Sequence, residues 1–200
     1  VVVFVSDHGD MLGERGLWFK MSFYEGSARV PMMISVPGME GAQVAAPVSN
    51  IDVCPTLCDL AGVDMSEVMP WTEGESLVPV MQGGERVSPV AMEYAAEASY
   101  APLVCLRRGK WKYTDCTLDP EQLFDLEADP HELVNLAGAP EQAEIMEEFR
   151  TAAARPPAEA LSWHRGHPRR AGRARRRRRA GCAPESKVPG GIVIHRGDMR

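Results

Sequence analysis

No stretch of the 200 residues approaches the roughly 18 to 20 consecutive apolar side chains that a membrane-spanning helix needs, so a transmembrane role is excluded. No basic segment followed by an apolar run opens the chain, and no leader peptide is legible. There is no C-x-x-C pair and no His at ligand spacing from a Cys, which argues against a structural zinc site. A glycine-rich phosphate loop, H-E-x-x-H and G-x-S-x-G are missing too. Aromatic residues are scarce, at 6%. The five cysteines are odd in number and irregular in spacing, which fits reduced thiols in the cytoplasm rather than a disulfide scaffold. The first residue is Val1, inside a hydrophobic run already under way, so the chain reads as cut from a longer protein.

What is present describes a folded chain: 44% hydrophobic and 25% charged, enough for one domain with a small appendage. The net charge of −6 conceals two opposite halves. Residues 165–200 hold 12 of the 22 Lys and Arg against two acids, Glu185 and Asp198, and everything before them is strongly acidic. The acidic body repels nucleic acid, whereas the arginine-rich tail alone would attract it. The tail has no aromatic residue after Trp163 and no helical stripe. Its Arg, Ala, Gly and Pro match a frameshifted reading, a basic arm or, last in order, a folded element; the first two predict little stable structure from about Arg155.

Val1–Val5 is β-branched and aromatic on both faces, the pattern of a buried, parallel, central strand. It stops at Ser6-Asp7-His8-Gly9-Asp10, and open α/β sheets place ligand chemistry at such strand ends. Residues 11–28 read as a loop with a short helical turn, and Val30–Val36 as a second strand. Asn50 or Asp52 is positioned to cap a helix to Leu60, with Pro55 in its first turn, Gly62 as its stop, and a stripe of Val53, Leu57, Leu60 and Ala61. After a Pro/Gly-rich connection holding a short helix near 75–81, strands are predicted over 89–94, 103–108, 110–114 and 123–126. Trp111 and Tyr113 alternate with Lys112 and Thr114, as in a sheet with one wet face. A helix follows over 141–153, opened by Ala139-Pro140.

Asp7 and His8 lead the candidates for chemistry. A carboxylate and an imidazole together at a strand exit can face one cation, of which Ca, Mg, Mn or Zn suits oxygen and nitrogen ligands. Asp10 lies near enough to hydrogen-bond a ligand, and Gly9 permits close backbone approach. The plainer alternative is a turn held by Asx-type hydrogen bonds. Lys20 and Arg29 are cations able to offset charge on a transferring oxyanion, or simply solvated loop charges; Glu25 can pair with either. Trp18, Phe19, Phe23 and Tyr24 either pack the loop onto the domain or frame a quaternary ammonium. Cys54 and Cys58 share a helix face and read as small buried hydrophobes. His131 reads as a surface turn, and His164, His167 and His195 fall in the tail.

The run SDHGDMLGERGLWFKMSFYEGSARVP resembles the C-terminal metal-binding motif of the sulfatases, and in its details the choline-sulfatase branch. The matching pieces are Asp7-His8-Gly9, Gly13-Glu14-Arg15-Gly16, Lys20 and Glu25-Gly26-Ser27-Ala28-Arg29-Val30-Pro31. Ser49 to Gly62 is similar to the family's D-x-x-P-T-L-x-x-L-A-G helix. Trp111-Lys112-Tyr113 and Glu121 to Leu126, with Asp129-Pro130, Glu132 and Asn135-Leu136, resemble the end of its catalytic region. The resemblance runs continuously to about residue 150. It implies an α/β, alkaline-phosphatase-like fold: residues 1–62 as the C-terminal strands of the catalytic domain, 63–154 as a linker and small antiparallel sheet with helices, and 155–200 as the tail.

It also implies hydrolysis of sulfate monoesters by a formylglycine made from Cys or Ser in C-x-P-x-R, aided by a divalent cation, calcium first with manganese or magnesium as alternatives. Asp7 and His8 carry over as metal ligands and Lys20 as a catalytic cation near the sulfate or leaving oxygen. Asp10, Glu25 and Arg29 carry over as supporting residues. Choline sulfate is the implied substrate, and a homo-oligomer in the cytoplasm, away from membranes and nucleic acid, the implied setting.

Departures matter as well. Cys54 is followed directly by Pro55, the wrong spacing for C-x-P-x-R, and Cys182-Ala183-Pro184-Glu185-Ser186 has Ser in place of Arg. No nucleophile is legible, so the isolated chain is expected to be inactive and prone to associate through an uncovered apolar face. The resemblance ends at Ala154-Arg155-Pro156-Pro157, before the element that in the choline-sulfatase branch contributes to oligomer contacts and to a neighbouring subunit's substrate site. The rival readings are a phosphonate or phosphate monoester hydrolase of the same superfamily, and a non-catalytic remnant with a nucleic-acid-binding tail.

Overall fold

The computed structural model describes residues 1–86, 88–96 and 99–154, and the backbone of 190–195. Two sheets organise the chain, each with its own apolar core. In the first, β1 (Val2–Val5) pairs antiparallel with β4 (Met32–Pro37), with Val5 opposite Met32. The far edge of β4 is taken by β9 (Gly190–His195), also antiparallel. β4 alternates: Met32, Ile34 and Val36 are buried and the residues between them are not. That apolar face packs on Leu77, Val80 and Met81, with Val53 and Leu60 closing the side.

β1 departs from the expected buried parallel strand. Its partner among the described residues is antiparallel β4, and Val2 and Phe4 are 68% and 57% exposed. A run apolar on both faces specifies burial but carries no information about the direction of its neighbours. A second departure lies in the tail. Residues 190–195 form β9, in keeping with the β-branched run Ile192-Val193-Ile194. The rest of the tail, with its arginine run, His164, His167 and Cys182, lies outside the described residues.

Between β1 and β4 the expected loop is more ordered than its glycines suggest. β2 (Met11–Leu12) and β3 (Trp18–Phe19) pair as a two-stranded ribbon around a 3₁₀ turn at Glu14–Gly16, and α1 (Glu25–Ala28) follows. α2 (Val53–Leu60) is preceded by a 3₁₀ turn over Asn50–Asp52; Asp52 stands at the helix N-cap, as expected, and Ser49 caps the turn. Ser49 and Asp52 form a reciprocal capping box, which satisfies donors that the first turn leaves orphaned. The buried side of α2 holds Pro55 and Thr56, while Leu57 is 40% exposed and Cys54 is exposed. Leu57 and Cys54 therefore turn outward against expectation, while Val53 and Leu60 of the expected stripe pack on the first core. Anchoring is the reason: Thr56 Oγ1 donates to the Asp52 carbonyl and accepts from Leu77 N at 2.8 Å, so a polar residue docks the helix.

α3 (Met65–Val68) and α4 (Val78–Met81) lead to an antiparallel meander of β5 (Val90–Tyr94), β6 (Leu103–Arg108), β7 (Trp111–Cys116) and β8 (Asp119–Asp125). Gly109, at φ 52°, makes the tight β6–β7 turn that its position predicts. α5 (Ala143–Ala153) lies on one face, where Met146 and Phe149 meet Leu106, Tyr113 and Leu123. Tyr113 and Phe149 stack at 5.5 Å and 9°. The opposite face of the meander is not wet as expected: Lys112 is 1% exposed. Residues of the β1–β4 loop pack over it, a tertiary contact that alternation within one strand cannot reveal.

Candidate active site

Strand β1 delivers Ser6, Asp7 and His8 into a loop fixed by its own hydrogen bonds. Ser6 Oγ donates to the His8 carbonyl at 2.8 Å. Asp7 Oδ2 and His8 Nε2 stand 3.5 Å apart, with the Asp7 side chain 85% exposed. His8 Nδ1 lies 2.7 Å from the Gly9 carbonyl oxygen. A ring nitrogen so close to a carbonyl acts as donor, so in the neutral ring the lone pair sits on Nε2, on the side of Asp7. This is the arrangement of a metal-ligating histidine whose other ring nitrogen is tied to a backbone acceptor. The backbone N–H of His8 and, more weakly, the charge of Lys20 hold the Asp7 carboxyl below the usual carboxylate range. The loop thus offers one oxygen and one nitrogen donor, a pair whose chemistry fits a divalent cation and could hold part of its coordination. Among the described residues no group of three His, Cys, Asp or Glu side chains converges to complete it.

α1 holds this loop from behind. Gly9 N donates to the Ser27 carbonyl at 2.8 Å, and a Cβ at Gly9 would lie 2.2 Å from the Gly26 oxygen. Ser27 Oγ in turn donates to the Lys20 carbonyl at 2.5 Å. One short helix therefore sets the backbone of both the Asp7-His8 loop and Lys20. From the other side, Asn50 Nδ2 donates to the Ser6 carbonyl at 2.9 Å. Asn50 sits in the turn governed by Asp52, which is fully buried and accepts from Ser49 N, Glu75 N and both terminal nitrogens of Arg86, the nearest at 2.6 Å.

The helix α1 is itself clamped. Lys112 Nζ lies 2.8 Å from Glu25 Oε1 and 2.9 Å from Glu132 Oε1, and Glu132 Oε2 accepts from Glu25 N at 2.8 Å. Burial alone would push the Lys112 ammonium down; the Glu25 and Glu132 carboxylates outweigh it and leave its pKa raised. Arg15 adds a second tie, its guanidinium 4.3 Å over the Tyr24 ring with Nη2 donating to the His131 carbonyl. Neither Lys112 nor Glu132 is a site candidate by sequence pattern, since each reads as a solvated charge. The available signal is their place in the W-K-Y and D-P-x-E stretches of the resemblance.

The other candidates are placed as follows. Glu25 pairs with Lys112 and, at 3.8 Å, with Arg29, so it serves the loop's architecture. Asp10 is exposed. Of the aromatic group, Tyr24 packs inward on Phe124, whereas Trp18 and Phe19 are 62% and 66% exposed. Phe19 has φ 69°, a left-handed conformation rare for a bulky side chain. His131 is exposed in its turn, as expected. Cys182 and its near-motif lie outside the described residues, and Cys54 lies on α2 with Pro55 next to it, so no described residue fits a formylglycine site.

A family model described as "N-sulphoglucosamine sulphohydrolase, C-terminal" matches residues 13–155. The chain belongs to the sulfatase family. This sulfatase is 68% identical over 140 residues to the choline-sulfatase of Rhizobium meliloti (strain 1021), a match that covers 70% of the chain and 27% of that protein. It is 38% identical over 150 residues to arylsulfatase K of Gallus gallus, covering 68% of the chain and 28% of the relative. Among solved structures it resembles the phosphonate monoester hydrolase of Agrobacterium radiobacter, with a TM-score of 0.61 and 30% identity over 76% of the chain and 33% of that structure. The fold is therefore the α/β sulfatase, alkaline-phosphatase-like fold. The sulfatase chain spans about a quarter of the length of the curated relatives it matches, 27% and 28%. No helix among the described residues is long and apolar enough to cross a membrane.

Proposed function

We propose that this chain forms the cation-binding loop and C-terminal part of a metal-dependent sulfuric ester hydrolase of the choline-sulfatase type, converting choline O-sulfate and water into choline and sulfate. The observation that carries the reading is the pairing of the Asp7 carboxylate with the lone-pair nitrogen of His8 at the end of β1. The 68% identity to a choline-sulfatase supports the substrate. A bound divalent cation, calcium first and manganese or magnesium as alternatives, would draw charge from the sulfate oxygens. Asp7 and His8 would hold it, with the Asp7 carboxylate favoured by its neighbours. Lys20 places an ammonium beside the same loop, where it can offset charge on the leaving oxygen. Glu25, Arg29 and Asp10 act as supporting residues, Glu25 through the buried clamp.

The nucleophile, a formylglycine by family, has no fitting residue here, and we infer that the chain alone does not turn over. The small sulfate ester, a homo-oligomer and the cytoplasm complete the reading; a reducing compartment suits the four free thiols among the described residues. Titration with Mn²⁺, followed by electron paramagnetic resonance, tests the site. Binding should be lost in Asp7→Asn and His8→Gln chains of unchanged circular dichroism; undiminished binding in both would overturn the assignment. Hydrolysis of choline sulfate by the purified chain would overturn the inference that it is inactive. The likeness to a phosphonate monoester hydrolase favours a second substrate class. Mixing the chain with the preceding portion of the Rhizobium meliloti choline-sulfatase and offering choline sulfate or a phosphonate monoester separates the two.

A further inference from the structure

Helix α2 carries a cluster of sulfur atoms that the candidate active site does not use. Cys54 and Cys58 stand about one turn apart on it, Cys54 exposed and Cys58 half-buried. The Met69 side chain, at the C-terminal cap of α3, comes up beside Cys54, with Cys54 Sγ 3.6 Å from Met69 Sδ. Hard cations such as Ca or Mg take oxygen donors; two thiols and a thioether instead select a soft ion. Metal–sulfur bonds of about 2.3 Å in a trigonal plane place neighbouring sulfurs about 4 Å apart, close to the 3.6 Å already present between Cys54 and Met69.

We propose that Cys54, Cys58 and Met69 form a surface site for a soft monovalent cation of the Cu(I) class, distinct from the oxygen and nitrogen donors of Asp7 and His8. Binding exchanges two S–H bonds for two S–metal bonds. The two protons pass to solvent and the Met69 thioether completes the plane. The metal keeps its oxidation state, so no oxidant or reductant enters.

The test is an anaerobic titration of the full reduced chain with Cu(I) against bicinchoninate as competing chelator. One equivalent should be held tightly. Affinity should fall about a hundredfold in Cys54→Ser or Cys58→Ser and about tenfold in Met69→Leu, with Cys116→Ser unchanged. A second measurement needs no variant. Cu(I) should protect Cys54 and Cys58 of the native chain from iodoacetamide while Cys116 and Cys182 remain labelled. Retained affinity in Cys54→Ser or Met69→Leu, or protection falling on Cys116 and Cys182 instead, would overturn the site.

Discussion

Lys112 sits 1% exposed between two carboxylates, and the arrangement is worth most when something is removed from it. A buried pair gains little over an apolar replacement of the whole cluster, but removing one partner strands the others without water. Lys112→Met keeps the stem and leaves Glu25 and Glu132 facing each other. It should cost about 3–5 kcal/mol of stability in urea titration, much more than an exposed Lys→Met. Glu121 gives a prediction of the opposite, solvent-facing kind. It accepts from Tyr113 Oη and from Arg150, and the Arg150 contact is the main cause that holds its carboxyl down at about 2 against an ordinary 4.5. Because the folded value is the lower one, the unfolded chain takes up the proton first. The Glu121 contribution is thus complete above about pH 4.5 and lost as pH falls towards about 2. Stability of Glu121→Gln should therefore fall less steeply than wild type across that acid window.

At the scale of elements, α2 joins two tasks: its flank packs the first core, and its opening turn reaches the end of β1. Asn50→Ala would remove the donor to the Ser6 carbonyl while sparing the Ser49–Asp52 capping box. The melting temperature should move little, and Mn²⁺ affinity should drop about tenfold, because a partner that orients a ligand loop acts on binding more than on folding. Strands β4 to β8 and helices α2 and α5 are legible in the sequence because their signals are local: Pro37-Gly38 after an apolar run, Gly109 between two strands, Ala139-Pro140 before a helix. Asp7 and His8 stand out in the sequence because they end a hydrophobic run, and their side chains do meet at the end of β1. The clamp is not legible, since Lys112 meets Glu25 across 87 residues and nothing in the local pattern of either announces the other. The N-cap position of α2 is legible at Asp52, but the partners of its side chain, Glu75 N and Arg86, are not, since they come from farther along the chain.

For the whole molecule, the uneven covering of the first sheet is the leading property. One side of β4 is packed, yet Val2, Phe4, Leu12, Trp18 and Phe19 lie open, on β1 and the neighbouring ribbon. β1 also keeps an edge without a strand partner among the described residues. Such a surface favours contact with other chains over contact with water. Sedimentation velocity should show concentration-dependent association at micromolar levels, reduced by Phe4→Lys. A single monomeric species across that range would contradict it.

The clamp on α1 has a consequence for the order of events during synthesis. Glu25 leaves the ribosome long before its partners, with Glu132 following 107 residues later. At about 5–20 residues per second, the Asp7-His8 loop waits on the order of 5–20 s before the side chains that hold α1 in place exist. Until then the ligands are chemically present but spatially loose. On the proposed reading, cation capture would be timed to the completion of the second sheet, and a ribosome that stalls before residue 112 would release a loop with its donors and without its clamp.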